Sequence, residues 1–414
     1  MKNYFQDFYP VRTQFFLSYA FIGCLLPYLV IYLREEVGLR ESVIGQLLAL
    51  SSMAIVISPL LITGLADSRF GGKRLLSWIF LGSTACMLAL AWWGTPWAAF
   101  VFLGLHMLLF VSVIPLQDGL NFSVQKGRRK RGLPETPYHQ VRVWGTIGFI
   151  VPSLFLFVLF WWGASTVVIL YVAAFVGVLG YLNTLRLPSF VAAPAMKQQK
   201  GEKRALPTME AIRVFANPRM VVIGIALFLA HLGSAAYFGF YPLYLTREIG
   251  LSERSAGLVF NIGVVVEIVF ILGFGWALRK LGLRRLLVIA MALTALRMFL
   301  LAAFPTVGMA VVSQIFHGMV VIALQVGPVL FLNSLAGDHF RSSIQGFYTM
   351  AIAGSSRVVG HLWAGSLAEN SLLSIYFYAG LLTTVSCFML WLFLPNQQKN
   401  TDGLTGESEA GERK

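Results

Sequence analysis

Charge is what this sequence lacks. Asp, Glu, Lys and Arg make up 12% of its 414 residues, against roughly a quarter in soluble domains. A chain this poor in charge cannot cover an ordinary water-exposed surface, so the formal charge of +14 does not point to nucleic acid, and no nucleic-acid partner is expected. Cysteine is scarce too. Cys24, Cys86 and Cys387 lie far apart in apolar runs, with no spacing that suits a metal site. Alternating ten-residue strands are missing, which argues against a barrel. A P-loop, a D-D-x-x-D pattern and an H-x4-D pattern are also missing, which argues against an ATP-driven pump and against a membrane transferase acting on lipid-linked substrates. No small-x-small cleavage site follows the first apolar run, residues 13–33, and that run is too long for the core of a signal peptide. The expectation is a chain that is not an enzyme and needs no metal or cofactor.

What the sequence has is apolar length. Hydrophobic residues make up 57% of it and the mean hydropathy is +0.74. Segments of about 20 apolar residues, each long enough to cross a hydrocarbon core of about 30 Å as a helix, recur along the chain. Twelve spans are expected at 12–33, 42–64, 75–93, 97–121, 140–162, 165–187, 220–246, 254–277, 284–303, 307–332, 343–366 and 372–394. With the N-terminus in the cytoplasm, 25 of the 32 Lys and Arg residues fall on the cytoplasmic side. Arg34, Arg40, Arg247 and Arg254 fall outside, and Arg142, Arg297 and Arg357 within spans. That asymmetry predicts a multi-pass protein of the inner (plasma) membrane with both termini cytoplasmic.

The chain also repeats itself. LREEVGLRESVIG (33–45) returns as LTREIGLSERSAG (245–257), and GLADSRFGGKR (64–74) is echoed by GWALRKLGLRR (275–285). Pro27 and Pro242 fall near the same repeat position. Two parallel six-span halves follow, 1–187 and 220–396, joined by a polar cytoplasmic linker, 188–219, and trailed by a disordered polar tail, 397–414. The predicted fold is an all-α integral membrane protein of twelve helices in two pseudo-symmetric bundles, expected to act as a monomer in a lipid bilayer.

Charges inside spans are costly and by default functional hypotheses. They are Asp118, Arg142, Glu267, Arg297 and Arg357, with His317 and His361 as titratable neighbours. Asp118 and Arg142 sit at similar depth on successive spans, so a pair between them is expected. Glu267 and Arg297 both fall near mid-span. A carboxyl group in an apolar setting is easier to protonate near neutral pH, and an arginine that approaches and withdraws can drive its proton off. A static pair that only fixes packing is the alternative. Gln314, Gln325 and Asn261 read as hydrogen-bonding groups for a solute or as glue between helices. Trp144 and Phe149, following Arg142 in span five, read as stacking platforms or as core. If all three span arginines and both acids face a cavity, the surplus of +1 favours an anionic solute.

GLADSRFGGKR, with Gly64, Asp67, Arg69, Gly71, Lys73 and Arg74, resembles the loop signature of the major facilitator superfamily, which implies a conformational-loop motif and transport by alternating access. Its echo departs in having Leu278 where Asp67 stands. YHQVRVWGTIGFI (138–150) is similar to a fifth-span signature of the phenylpropionate permease group, the nucleoside:proton symporters and, more loosely, lactose permease. GVVVE (263–267) and QIFH (314–317) look most like the phenylpropionate permeases. The resemblance implies that Asp118 and Arg142 line a substrate site, that Phe149 replaces a stacking tryptophan, and that Arg297 and His317 couple protons. The acid one turn after that histidine is absent, because Val320 stands there. Glu267 remains as the matching eighth-span acid. The function expected is proton-coupled symport of a small organic solute, an aromatic carboxylate such as phenylpropionate in first place. The alternatives are a nucleoside or sugar symporter and a membrane sensor that no longer transports.

Overall fold

A computed structural model of the chain describes residues 8–66, 72–130, 132–133, 136, 138–188, 209–335 and 341–395. Among them are twelve long helical rods and no strand. They are α1 (Phe8–Leu25, resuming as Leu29–Glu35), α2 (Glu41–Ala66), α3 (Gly72–Trp93), α4 (Pro96–Lys130), α5 (Tyr138–Trp161) and α6 (Val168–Arg186). The second set is α7 (Pro218–Arg247), α8 (Glu253–Leu281), α9 (Leu283–Ala303), α10 (Val307–Leu335), α11 (Arg341–Phe347, then Tyr348–Gly354 and Ser355–Ala368) and α12 (Leu372–Phe393). Among the described residues, ten helices are long and apolar enough to cross a membrane. The chain is an all-α, multi-pass membrane protein.

Three departures from the expected spans have local causes. α1 breaks around Pro27, whose missing N–H and ring block the next turn, whereas α7 carries Pro242 without a break. α4 runs to Lys130, nine residues past the expected end. Its basic tail fails a hydropathy test but forms helix well, and Arg128, Arg129 and Lys130 suit the negative end of the helix dipole. It ends in a glycine cap: Gly132, at φ +68°, donates to Arg129 O and Leu133 to Arg128 O. The end of the polar linker forms a short helix, Met209–Ala216, that packs Phe215 against Phe347, the rings tilted and their centres 4.7 Å apart. Residues 189–208 and the tail expected at 397–414 lie outside the described residues.

The sequence repeat is also a repeat of conformation. Gly38 and Gly250 both turn the chain at positive φ, +73° and +75°, where a side chain would be strained. The hydrogen bonds around them match pair for pair: Glu36, Val37 and Leu39 donate to Tyr32, Tyr32 and Leu33, as Glu248, Ile249 and Leu251 donate to Tyr244, Tyr244 and Leu245. Lys73 donates to the Leu185 and Leu187 carbonyls at 2.9 and 2.8 Å, capping the end of α6. Its repeat counterpart Arg284 donates to the Trp391 carbonyl at the end of α12. Each cation satisfies carbonyls that a helix C-terminus leaves open.

Packing gathers the chain into two units. One is Met1–Arg204 with Ala236–Asn261 and Arg357–Ile375; the other is Ala205–Ala235 with Ile262–Ser356 and Tyr376–Lys414. Glycines set the closest approaches in the first. A Cβ at Gly148 would overlap the Phe16 carbonyl, and one at Gly23 the Phe149 carbonyl, so α1 and α5 cross backbone to backbone.

Candidate functional site

Arg297, on α9, has 0% relative exposure and is the largest fully buried side chain described. A guanidinium in such a place must be hydrogen-bonded or it destabilises the fold strongly. α10 supplies the acceptors. Its Gln314–Phe316 turn is wound as a 3₁₀ helix, which eclipses residues three apart, and so Gln314 and His317 project together towards α9. Arg297 Nη2 donates to Gln314 Oε1 at 3.0 Å and Nη1 to His317 Nδ1 at 3.3 Å.

That contact determines the histidine tautomer. Arginine has only donors, so His317 Nδ1 accepts and the ring proton sits on Nε2. Nε2 faces Glu267 Oε2, on α8, at 3.7 Å. Arg297, His317 and Glu267 therefore form a line from a sealed interior to a carboxylate whose side chain is 31% exposed. The backbone of α8 is held against it by Gly263, one turn before Glu267. A Cβ there would overlap Gln314 Oε1 and stand 3.0 Å from His317 Cγ. Val320, one turn after His317, is buried and apolar.

In the other unit, the expected direct pair between Asp118 and Arg142 is not made: among the described residues no ion pair joins them. Asp118 Oδ1 instead accepts from the Tyr138 hydroxyl at 2.8 Å, and the Arg142 guanidinium lies 4.1 Å over the Tyr19 ring. Gly145 leaves room for that stack, since its Cβ would stand 2.6 Å from Tyr19 Cδ2 and 2.9 Å from Arg142 Nη1. Tyr138 and Tyr19 were not singled out in the sequence. Tyr138 opens the quoted fifth-span signature and so was within reach; nothing marked Tyr19.

The other expected site residues are spread out. Trp144 lies exposed beside Val143 and Ile147, on a different face of α5 from Arg142. Phe149 is buried, its ring 6.3 Å from that of Phe260. Gln325 is exposed on a π-helical turn, Ile322–Val326, of α10. Asn261 is buried and His361 Nδ1 contacts Ser52 Oγ at 3.0 Å. Of the loop motif, Gly64 lies in the last turn of α2, Lys73 caps α6, and Arg74 is exposed; Asp67, Arg69 and Gly71 lie outside the described residues.

Within the first unit, the repeat loops meet. Arg247 reaches Glu35 at 3.0 Å and Glu41 at 3.4 Å, and Arg34 reaches Glu41 at 2.9 Å. The exposed Arg247–Glu35 pair contributes about 0–1 kcal/mol, so such pairs align these loops more than they hold them together. Beneath them the backbones touch. A Cβ at Gly257 on α8 would overlap the hydroxyl of buried Tyr28, and one at Gly45 on α2 would stand 2.8 Å from Gly365 Cα on α11.

Comparison with known proteins agrees with this architecture. The chain is 24% identical over 372 residues to the nucleoside permease NupG of Escherichia coli (strain K12), covering 86% of each. It is 24% identical over 366 residues to a probable 3-phenylpropionic acid transporter of the same organism, covering 86% of this chain and 89% of the relative. The crystal structure of the nucleoside transporter NupG superposes with a TM-score of 0.81 at 20% identity, over 94% of this chain and 99% of that one. A profile of the MFS_1 like family matches residues 10–379, and with twelve helices, a conformational repeat and the loop signature in agreement, the chain belongs to that family of major facilitator transporters.

Proposed function

We propose that the protein is a secondary transporter that moves a small organic solute together with a proton. The Arg297–His317–Glu267 line carries this reading. While Arg297 donates to Nδ1, His317 cannot hold two protons, so an incoming proton goes to Glu267, the most exposed member of the line. Deprotonated Glu267 is then drawn towards the His317 Nε2–H, and protonated Glu267 is released, which gives the site two charge states for alternating access to switch between. The permeases named above support transport of a small solute. Proton coupling is our reading of the site.

Arg142 supports an anionic solute. Among the described residues no carboxylate lies within ion-pair distance of it, and a stacked guanidinium keeps in-plane N–H donors free for a planar carboxylate. With Tyr19 alongside, an aromatic carboxylate of the phenylpropionate type is the solute we favour. A nucleoside is the second reading, supported by Asp118 and Tyr138, which offer an acceptor and a hydroxyl to a neutral polar solute, and by the relatives' names. Uptake of 3-phenylpropionate, uridine and xanthosine into proteoliposomes, with and without an inward proton gradient, decides between them. Gradient-driven uptake of 3-phenylpropionate that Arg142→Ala abolishes is expected; uptake of every solute unaffected by the gradient would refute proton coupling.

A further inference from the structure

α9 and α12 are tied together near both ends and by one thiol contact between, Cys387 Sγ to Val288 O at 3.5 Å, and leave a gap beside it. At one end Arg284 donates to the Trp391 carbonyl; towards the other, a Cβ at Gly380 would stand 2.9 Å from the Phe299 ring. Between the contacts is an apolar groove of about 450 Å³, lined by Val288, Ala292, Ala295 and Phe299 of α9 and by Phe388 and Trp391 of α12. Small side chains make the gap. The polar atoms beside it are already engaged, since Thr384 Oγ1 donates to Gly380 O at 2.8 Å within α12 and Cys387 Sγ to Val288 O at 3.5 Å across the helix pair. Nothing in the groove recognises a polar solute.

Length and charge identify an occupant. At about 1.5 Å per residue, Val288 to Phe299 spans about 16 Å, which matches half of a hydrocarbon core of about 30 Å. The groove is thus one leaflet deep. At its mouth, one turn before Val288, is exposed Arg285, preceded in the chain by exposed Arg279 and Lys280 at the end of α8. Arg284 is committed to closing the helix pair, but Arg285 is not. A basic pocket between helices at a membrane surface selects anionic headgroups. We propose that this groove is a binding site for one anionic phospholipid, with an acyl chain along Ala292 and Ala295 and its phosphate at Arg285.

The test uses the full chain purified in detergent, with apparent Tm read as dioleoyl-phosphatidylglycerol, dioleoyl-phosphatidylcholine or glycerol 1-phosphate is added. A ligand that binds the folded state raises Tm with the logarithm of its concentration. Phosphatidylglycerol is expected to raise Tm; the same chains on a zwitterionic headgroup, or the headgroup without chains, are expected to give at most a small rise. Arg285→Gln should reduce the phosphatidylglycerol response to the phosphatidylcholine level, and Ala292→Phe, which fills the groove, should remove the response to both. Arg285 is exposed, so its variant folds and decides the matter even if Ala292→Phe does not. Equal responses to the two lipids, or a full phosphatidylglycerol response in Arg285→Gln, would overturn the proposal. So would a groove covered by a second copy, seen as a dimer that Ala292→Phe dissociates without any lipid effect.

Discussion

Adding one methyl group at Gly263 should disconnect Arg297 without touching a charge. The new Cβ would overlap Gln314 Oε1 and lie 3.0 and 3.1 Å from His317 Cγ and Nδ1, where ordinary contacts begin near 3.4 Å. The histidine ring must retreat by a few tenths of an ångström, which Arg297 can follow. The glutamine amide oxygen must move further, far enough to stretch or break the bond it makes to Arg297. Its bond to Arg297, 3.0 Å long, joins an amide to a buried charge, and such bonds contribute about 1.5–3 kcal/mol. Gly263→Ala should therefore lower stability by about 2 kcal/mol, and so should Gln314→Ala. The double variant should lose little more than either one, because removing the glutamine makes the room that the methyl group needs, giving a coupling energy of similar size. Apparent Tm of the four proteins in one detergent measures this. Additive losses, or a wild-type Tm in Gly263→Ala, would show that the Gly263 contact does not support the Gln314–Arg297 bond.

Other expectations follow from the same geometry. Glu267→Gln, which mimics the protonated acid, should abolish accumulation driven by a pH gradient and leave solute exchange across the membrane intact and insensitive to pH; unchanged gradient-driven accumulation would leave Glu267 without a role in coupling. Gly257→Val should pry open the packing around fully buried Tyr28 and Cys24, so that in a background lacking Cys86 and Cys387 an impermeant maleimide labels Cys24, which resists it in the wild type. Equal labelling of the two proteins would show that this contact does not keep Cys24 buried. Cysteines replacing Lys200 and Asn400 should react only from the cytoplasm and one replacing Thr95 only from outside; the reverse pattern would invert the proposed orientation.

Most of the rods were legible in the sequence because an apolar run of 20 residues has few other places to go. What hydropathy could not see was helix that leaves the bilayer, as in the basic end of α4, or helix that stops inside it, as at Pro27. The charged members of the site were legible for the opposite reason: an acid, an arginine and a histidine inside spans are rare enough to be conspicuous. Their partners were not. Gly263, Tyr19 and Tyr138 belong to types that crowd this sequence, with 39 glycines and 14 tyrosines, so their presence marks nothing until the helices are rotated into place. The same missing rotation explains the expected Asp118–Arg142 contact. Similar depth on successive helices is a condition for pairing, and the structure meets it with tyrosines beside each charge.

The repeat supports placing the proposed proton site at the charges of the second unit, because a buried histidine alone recurs in the first. At the repeat offset of the glycine–lysine loop, His317 corresponds to His106 of α4, and Arg297 to Cys86. His106 is as deeply buried as its counterpart, but its neighbours are rings, with Phe21 stacked at 5.0 Å and Phe110 at 5.1 Å. There it fills space as one more flat side chain. His317 occupies the matching place between an arginine that fixes its tautomer and a carboxylate 3.7 Å from its remaining ring nitrogen. The duplicated parts of the chain are the ones that any six-span half needs, the Gly38 and Gly250 turns and the Lys73 and Arg284 caps. The unduplicated parts, Glu267 and Arg297 around one of two histidines, are those that only a site with a direction needs. The proposed movement of a proton together with solute calls for such a difference between the halves, because two equivalent relays would offer the proton two routes and tie neither to the solute.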